Sequence, residues 1–327
     1  MGSQKSAEQT CLSVSTGTPS SQTLALTAVA MLAFAGNSLL CRLALQHAAI
    51  DPASFTTVRL VSGALVLSAL VRWREARALK ADAAALGGPA RLLQALAAPG
   101  EPAHPAAGLA GSWSSAAALF VYAAAFSYAY LSLSAGTGAL LLFGAVQATM
   151  LGWGLWRGQR LGRGQTAGLV LAMGGLVGLL MPGVTAPPAV GALLMIAAGM
   201  AWGVYSLRGR GAGDATAVTA GNFVRAAALA LALGLAGLPW ATFDQAGLLW
   251  AVCSGAVTSG LGYAVWYTAL KGLQPTSSAS VQLSVPVLTA LGGAVFLNEP
   301  VTVRLVLCSL AILGGIAWVI AGQRTGK

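Results

Sequence analysis

Charge is scarce in this chain. Only 8% of its 327 residues are charged, where a soluble domain usually carries about 25%. Whole stretches have no charge at all: Thr23 to Leu40, Leu60 to Val71, Gly164 to Leu207 and Ala226 to Phe243. Such runs exclude an ordinary soluble domain, because about 20 mostly apolar residues are what a helix needs to cross the hydrocarbon of a bilayer. No period-two alternation runs through them, which excludes a membrane β-barrel. Inside lipid the backbone can satisfy itself only in helices or closed barrels, so the fold class is an all-α membrane protein.

Histidine and cysteine are nearly missing too. His47 and His104 stand alone, and Cys11, Cys41, Cys253 and Cys308 are far apart. No pair has metal-ligand spacing and no disulfide framework follows. Without a nucleophile, base or metal cluster there is no basis for an enzyme, and neither a cofactor nor a metal is expected. Acidic residues number eight: Glu8, Asp51, Glu75, Asp82, Glu101, Asp214, Asp244 and Glu299, all in tails or loops. Proton-coupled carriers commonly use a titratable group within the membrane. Its absence predicts movement down a substrate gradient, or coupling through a group at the rim.

What is present is apolar residues, 57% of the chain, and a positive balance of +10. The basic residues sit in short loops rather than on one face, which argues against nucleic acid as a partner and for the lipid bilayer. Ten spans are predicted: Gln22–Leu45, Ala53–Val71, Ser112–Leu133, Ala135–Leu155, Gly164–Met181, Val190–Leu207, Ala217–Leu238, Ala246–Leu270, Thr276–Leu297 and Val301–Ala321. The connection 72–111 is long and reads as a surface helix followed by a loop.

The chain repeats itself. Residues 135–181 align without gaps on 275–321, with Thr149 on Thr289, Gly152 on Gly292 and Gly174-Gly175 on Gly314-Gly315. Only 6 of the 47 positions are identical, but the layout of two apolar spans around a short connection is shared. Earlier in the chain, Arg42 and Arg59 match Arg208 and Arg225. The organisation is therefore a tail (1–21), a five-helix repeat (22–181, containing the loop 72–111), a second five-helix repeat (182–321) and a tail (322–327). Five is odd, so the halves insert in opposite directions. With the N-terminus in the cytoplasm, 14 of the 18 basic residues fall in cytoplasmic segments. They are Lys5, Arg72, Arg74, Arg77, Lys80, Arg91, Arg157, Arg160, Arg163, Arg208, Arg210, Lys271, Arg324 and Lys327. That is the pattern of the positive-inside rule, with both termini cytoplasmic.

Ten spans in an inverted five-plus-five arrangement resemble the drug/metabolite transporter superfamily, in particular its EamA-type permeases. The residues that carry the resemblance are Asn37, Asp51-Pro52 followed by Arg59, Arg225, Tyr267-Thr268-Ala269-Leu270, Pro286 and Asn298-Glu299-Pro300. The first half departs from it, with Gly158-Gln159-Arg160 where a glutamate would stand. The resemblance implies a small-molecule transporter, working as an exporter in the bacterial inner membrane. The expected substrate is a neutral or zwitterionic, amino-acid-like metabolite or a drug, moved by a monomer or homodimer. The alternative is an antiporter of anionic metabolites, which would want basic residues at mid-membrane; a membrane-embedded enzyme or a scaffold is a more distant one.

Transporters of inverted repeats hold substrate near the midplane between the halves. Polar and aromatic side chains within spans are the candidates: Asn37, Tyr122, Gln147, Trp202, Thr258, Tyr263, Trp266 and Gln282 for substrate. Amides can hold a zwitterion, and rings offer apolar or cation–π contact. Each could instead serve helix packing. Arg59 and Arg225, about seven residues into their spans, read as contacts to a substrate carboxylate or to a gate, or else as rim residues that snorkel or pair with Asp51 and Asp214, and the rim reading is the expected one. Pro286 removes a backbone donor in mid-span and is expected to kink the ninth helix beside the site.

Overall fold

The computed structural model describes residues 20–85, 110–158, 160–183, 186–209, 213–273 and 275–322. Helices account for nearly all of them, and no strand occurs among the described residues. They are α1 (Ser21–His47), α2 (Pro52–Ala85), α3 (Trp113–Ala129), α4 (Ala135–Trp156), α5 (Arg163–Leu180), α6 (Ala189–Arg208) and α7 (Ala215–Gly237), followed by a 3₁₀ turn (Leu238–Trp240). Then come α8 (Gln245–Leu270), α9 (Pro275–Gln282), α10 (Ser284–Phe296) and α11 (Val303–Gly322). Among the described residues nine helices are long and apolar enough to cross a membrane. The chain is a multi-pass membrane protein.

Local chemistry sets the helix ends. Ser20, Ser112 and Ser134 accept from the backbone N–H three residues on, at Thr23, Ser115 and Thr137, and Asp244 does the same at Gly247. Asp214 takes the N–H groups of Thr216 and Ala217. These caps satisfy donors that a helix start leaves free. Asp51 caps α2 through Ala53 and Ser54 and reaches across to the Thr242 N–H at 3.1 Å. Partial burial opposes its ionised form, but the hydrogen bonds from Ser54, Thr242 and Ala53 together outweigh that, so its carboxyl lies below the usual carboxylate range.

Several boundaries differ from the sequence reading, each for a physical reason. The second span does not stop at Val71: α2 runs 34 residues, because Arg72 to Ala85 contains no Gly or Pro to end it. At about 1.5 Å per residue it is roughly 50 Å long, against a hydrocarbon thickness of about 30 Å. The rest of the expected loop, residues 86–109, lies outside the described residues. The third span is shorter than expected: α3 has 17 residues and ends in a turn at Tyr130–Ser132. The ninth span is two helices, α9 and α10, interrupted at Leu283. Pro286 has no N–H to offer the Gln282 carbonyl, and Leu283 N–H turns back to Ser280 O instead. In α8 the nine residues Cys253–Leu261 form a π-helical stretch, which the sequence reading did not expect.

The packing pairs are α5 with α11, α2 with α7, α3 with both α6 and α7, and α4 with α6 and α10. The π-helical stretch of α8 lies on α2, and α1 lies on α8 and α10. Glycines allow a close approach between α5 and α11. A Cβ at Gly175 would come within 3.0 Å of Ile312 Cγ1, and one at Gly315 within 3.0 Å of Ala172 Cβ. In the same crossing Gly178 faces Cys308 and Gly168 faces Trp318, whereas Gly174 and Gly314 face open space. Packing by small residues is how helices associate where lipid supplies no hydrophobic drive. The interior holds the aromatic rings of Phe34, Tyr122, Phe126, Tyr130, Phe143, Trp202 and Phe223, while Leu65, Val190, Leu235, Val295 and Leu310 are exposed around the outside. Apolar residues thus line both the core and the outer wall, as a bilayer-embedded surface requires.

Candidate functional site: a one-sided cavity

A cavity of about 980 Å³ runs into the bundle between α4, α5, α6, α7, α8, α9 and α11, with Ser115 of α3 also in its lining. It is large enough for a metabolite-sized ligand. Aromatic side chains form much of its wall: Trp202, Tyr205, Tyr263, Trp266 and Tyr267. Polar groups are interspersed, chiefly Gln147, Thr219, Asn222, Ser278 and Gln282. Its lining reaches the C-terminal ends of α4, α6 and α8 and the start of α7, at Arg157, Arg208, Leu270 and Ala215, and the exposed Arg157 and Arg208 mark this as the open end.

The opposite end is closed. Arg42, near the end of α1, donates from Nε to Glu299 Oε1 at 2.9 Å, and the pair is 14% exposed on each side. The other carboxylate oxygen of Glu299 accepts the Ala135 N–H at the start of α4, at 2.7 Å. Arg42 Nη1 donates to the Tyr130 carbonyl at 2.8 Å, at the end of α3. One ion pair therefore joins α1, α3, α4 and the α10–α11 connection. The Asp51–Thr242 contacts tie the α1–α2 and α7–α8 connections on that same face.

Five of the sequence candidates line the cavity: Gln147, Trp202, Tyr263, Trp266 and Gln282. The interruption before Pro286 falls next to Gln282, so the broken helix borders the cavity wall. The other three, Asn37, Tyr122 and Thr258, sit behind that wall in a buried hydrogen-bonded cluster. Asn37 Oδ1 accepts from the hydroxyls of Ser254 at 2.7 Å and Thr258 at 3.4 Å, and its Nδ2 donates to Tyr122 Oη at 3.4 Å. The π-helical turn of α8 presents Ser254, Thr258 and Ser259 to this cluster. Gly255 makes this possible, for a Cβ there would collide with the Arg59 carbonyl and the Ser62 hydroxyl on α2. Tyr122 stacks on Trp202 at 5.6 Å between ring centroids, so the cluster and the cavity share a wall.

The rim placement expected for Arg59 does not hold. Its side chain is buried, with 2% exposure for the residue, and it makes no salt bridge with Asp51 or with any other carboxylate among the described residues. Nη2 donates to Tyr122 Oη at 3.0 Å and Nε to Ser259 Oγ at 3.4 Å. The guanidinium lies 5.2 Å from the Tyr122 ring centroid and 4.9 Å from that of Phe126. The packing of α2 against α3 and α8 turns this face inward, so a basic group does lie inside the bundle. Arg225, its counterpart in the repeat, is part-buried and donates to the carbonyls of Ala110 and Gly221. Asp214 meets Arg74 instead, at 3.8 Å. No group of three or more His, Cys, Asp or Glu that could hold a metal occurs among the described residues.

Comparison with known proteins follows the same outline. The model of the EamA-like transporter family matches residues 189–321, the stretch from α6 to α11. An uncharacterized protein of Pseudomonas aeruginosa is 56% identical over 309 residues, covering 94% of this chain and 98% of its own. A crystal structure of a protein 22% identical superposes with a TM-score of 0.59, covering 92% of this chain and 98% of the other.

Proposed function

The chain belongs to the EamA-like transporter family, and from that premise we propose that it exports a small neutral or zwitterionic metabolite, amino-acid-like, or a drug, by alternating access. Members of the family are transporters rather than enzymes. The observation that carries the reading is the one-sided cavity: open at Arg157 and Arg208, closed at Arg42–Glu299. Under the positive-inside assignment the open end is cytoplasmic and the closed end faces outward across the bacterial inner membrane. The substrate is held by Gln147, Trp202, Tyr263, Trp266 and Gln282, with Asn37, Tyr122 and Thr258 forming the support behind. The alternative, antiport of anionic metabolites, draws on the buried guanidinium of Arg59.

In this reading α3 is the tenth span, and residues 22–181 and 182–321 are inverted repeats. The packing supports it. Exchanging α1–α5 for α6, α7, α8, α9–α10 and α11 turns the α3–α6 contact into α8–α1, α4–α6 into α10–α1, and α2–α8 into α7–α3, all of which occur. At residue level, Gly175–Ile312 and Gly315–Ala172 exchange under the 140-residue offset, as do Gly178–Cys308 and Trp318–Gly168. Such palindromic contacts are what a two-fold axis between the halves would produce.

The test is efflux of a labelled panel of amino acids, nucleosides and drugs from proteoliposomes, with and without an imposed pH gradient. Flux that follows the substrate gradient alone is expected. Accumulation driven by protons would move coupling to a rim carboxylate, with Glu299 first. No flux of any probe above that of empty liposomes would count against transport itself.

A further inference from the structure

Arg59 presents an unanswered chemical problem. A guanidinium within a membrane-embedded bundle is costly unless it is paired. Here two nitrogens have hydroxyl partners and two rings lie close to the charge, yet Nη1 is buried with no hydrogen-bond partner. Neither the hydroxyls nor the rings cancel a full positive charge. What the geometry lacks is an anion at Nη1.

The surroundings say which kind. Tyr122 bonds Arg59 with its hydroxyl and stacks on Trp202, a residue of the cavity wall. Ser259, the second partner, lies one turn before Tyr263, which also lines the cavity. Arg59 is therefore separated from the cavity by one layer of rings. Arg42, the next basic group toward the sealed face, is already committed to Glu299. A lone guanidinium edge suits a single planar monoanion, which it can meet with two parallel hydrogen bonds, better than a multiply charged phosphate. The aromatic wall suits an apolar body.

We propose that Arg59 is the carboxylate subsite of the transport pathway, so that the transported molecule carries one carboxylate on an apolar or aromatic body. This rests on the transporter reading and narrows it. Within that reading a zwitterion fits, whereas a molecule without an anionic group leaves Nη1 unpaired. The carboxylate reaches Nη1 when the Tyr122–Trp202 stack parts, as the cavity changes the side on which it opens. Tyr122 then acts as a positioning residue, fixing the guanidinium through its bond to Nη2.

The test uses the full chain in nanodiscs and two probes of nearly equal shape, 3-phenylpropionate and its uncharged amide. Calorimetry should show the acid binding at least about tenfold tighter than the amide, the value of a hydrogen bond to a charged group. Arg59→Gln should remove that preference, bringing acid and amide to similar affinity; Arg59→Lys should retain part of it. Equal affinity of the wild-type protein for the two probes, binding of neither, or a preference that survives Arg59→Gln would each overturn the assignment. The wild-type comparison decides even if Arg59→Gln fails to fold. Flux of the labelled amide through the wild-type protein in proteoliposomes reports separately on transport.

Discussion

Removing the Glu299 carboxylate should open the sealed face. Glu299→Ala takes away the acceptor for Arg42 Nε at 2.9 Å and for the Ala135 N–H at 2.7 Å. Hydrogen bonds to a charged group contribute about 1.5–3 kcal/mol each, so the pair is worth roughly 3–6 kcal/mol before solvent is considered. The side chains are 14% exposed and water will replace part of the loss, which leaves about 2–3 kcal/mol. If these contacts exist only in the conformation sealed on that face, the balance between the two conformations shifts by roughly 30- to 150-fold. The chain carries its own reporter: Cys41 precedes Arg42 and is fully buried. With Cys11, Cys253 and Cys308 replaced by Ala, labelling of Cys41 by a membrane-impermeant maleimide from the sealed face should quicken by that factor in Glu299→Ala. A cysteine at Ser206, on the wall near the open mouth, should become slower to label at the same time. Unchanged Cys41 labelling in a monodisperse Glu299→Ala protein would refute the idea that this ion pair holds the face shut.

Further outcomes are expected. Gln147→Ala and Gln282→Ala should each weaken substrate handling by about 1 kcal/mol, several-fold in the KM for efflux, with the melting temperature unchanged. Gly315→Ala, crowded against Ala172 and the Gly168 carbonyl, should lose about 1–3 kcal/mol and lower the melting temperature in detergent, whereas Gly314→Ala, with open space at its Cβ, should not. Asp51 has a lowered pKa in the folded protein, so its contribution to stability is present above its unfolded pKa of about 4 and is lost as pH falls through the folded value. The gap in melting temperature between wild type and Asp51→Asn should therefore be constant near neutral pH and close in acid. Alkaline phosphatase fused after Lys327 should be inactive if both termini are cytoplasmic.

The class of the molecule was readable because charge collects at the ends of apolar runs, and that pattern does not depend on how helices pair. The helix break beside Gln282 was readable for a similar reason: a proline acts on the carbonyl four residues back wherever the helix lies. Arg59 was not readable in this way. Seven residues into a span, a guanidinium can snorkel or turn inward, and its partners here, Tyr122 and Ser259, are 63 and 200 positions away. Glu299 looked like a rim residue, and nothing local pointed to Arg42, 257 positions earlier. The π-helical stretch had only a local hint, the Gly255, Gly260 and Gly262 cluster with its hydroxyl neighbours, because the wide turn reflects how closely α2 approaches.

The length of α2 bears on how the molecule sits in its bilayer. About 20 Å of that helix exceeds the hydrocarbon, and its surplus turns carry Arg72, Arg74, Arg77 and Lys80. Trp73 is half exposed with the Arg77 guanidinium 4.5 Å from its ring, an amphipathic anchor suited to the headgroup level. Drawing this end into the oil would cost about 2.5–3.5 kcal/mol for each basic group, while an anionic leaflet attracts each by about 1 kcal/mol. The helix behaves as a float with a fixed waterline. It resists bobbing along the membrane normal, and α7, packed along it and tied by Arg74 to Asp214, rides at the same depth. Such an anchor favours tilting of the bundle in place over sliding across the bilayer.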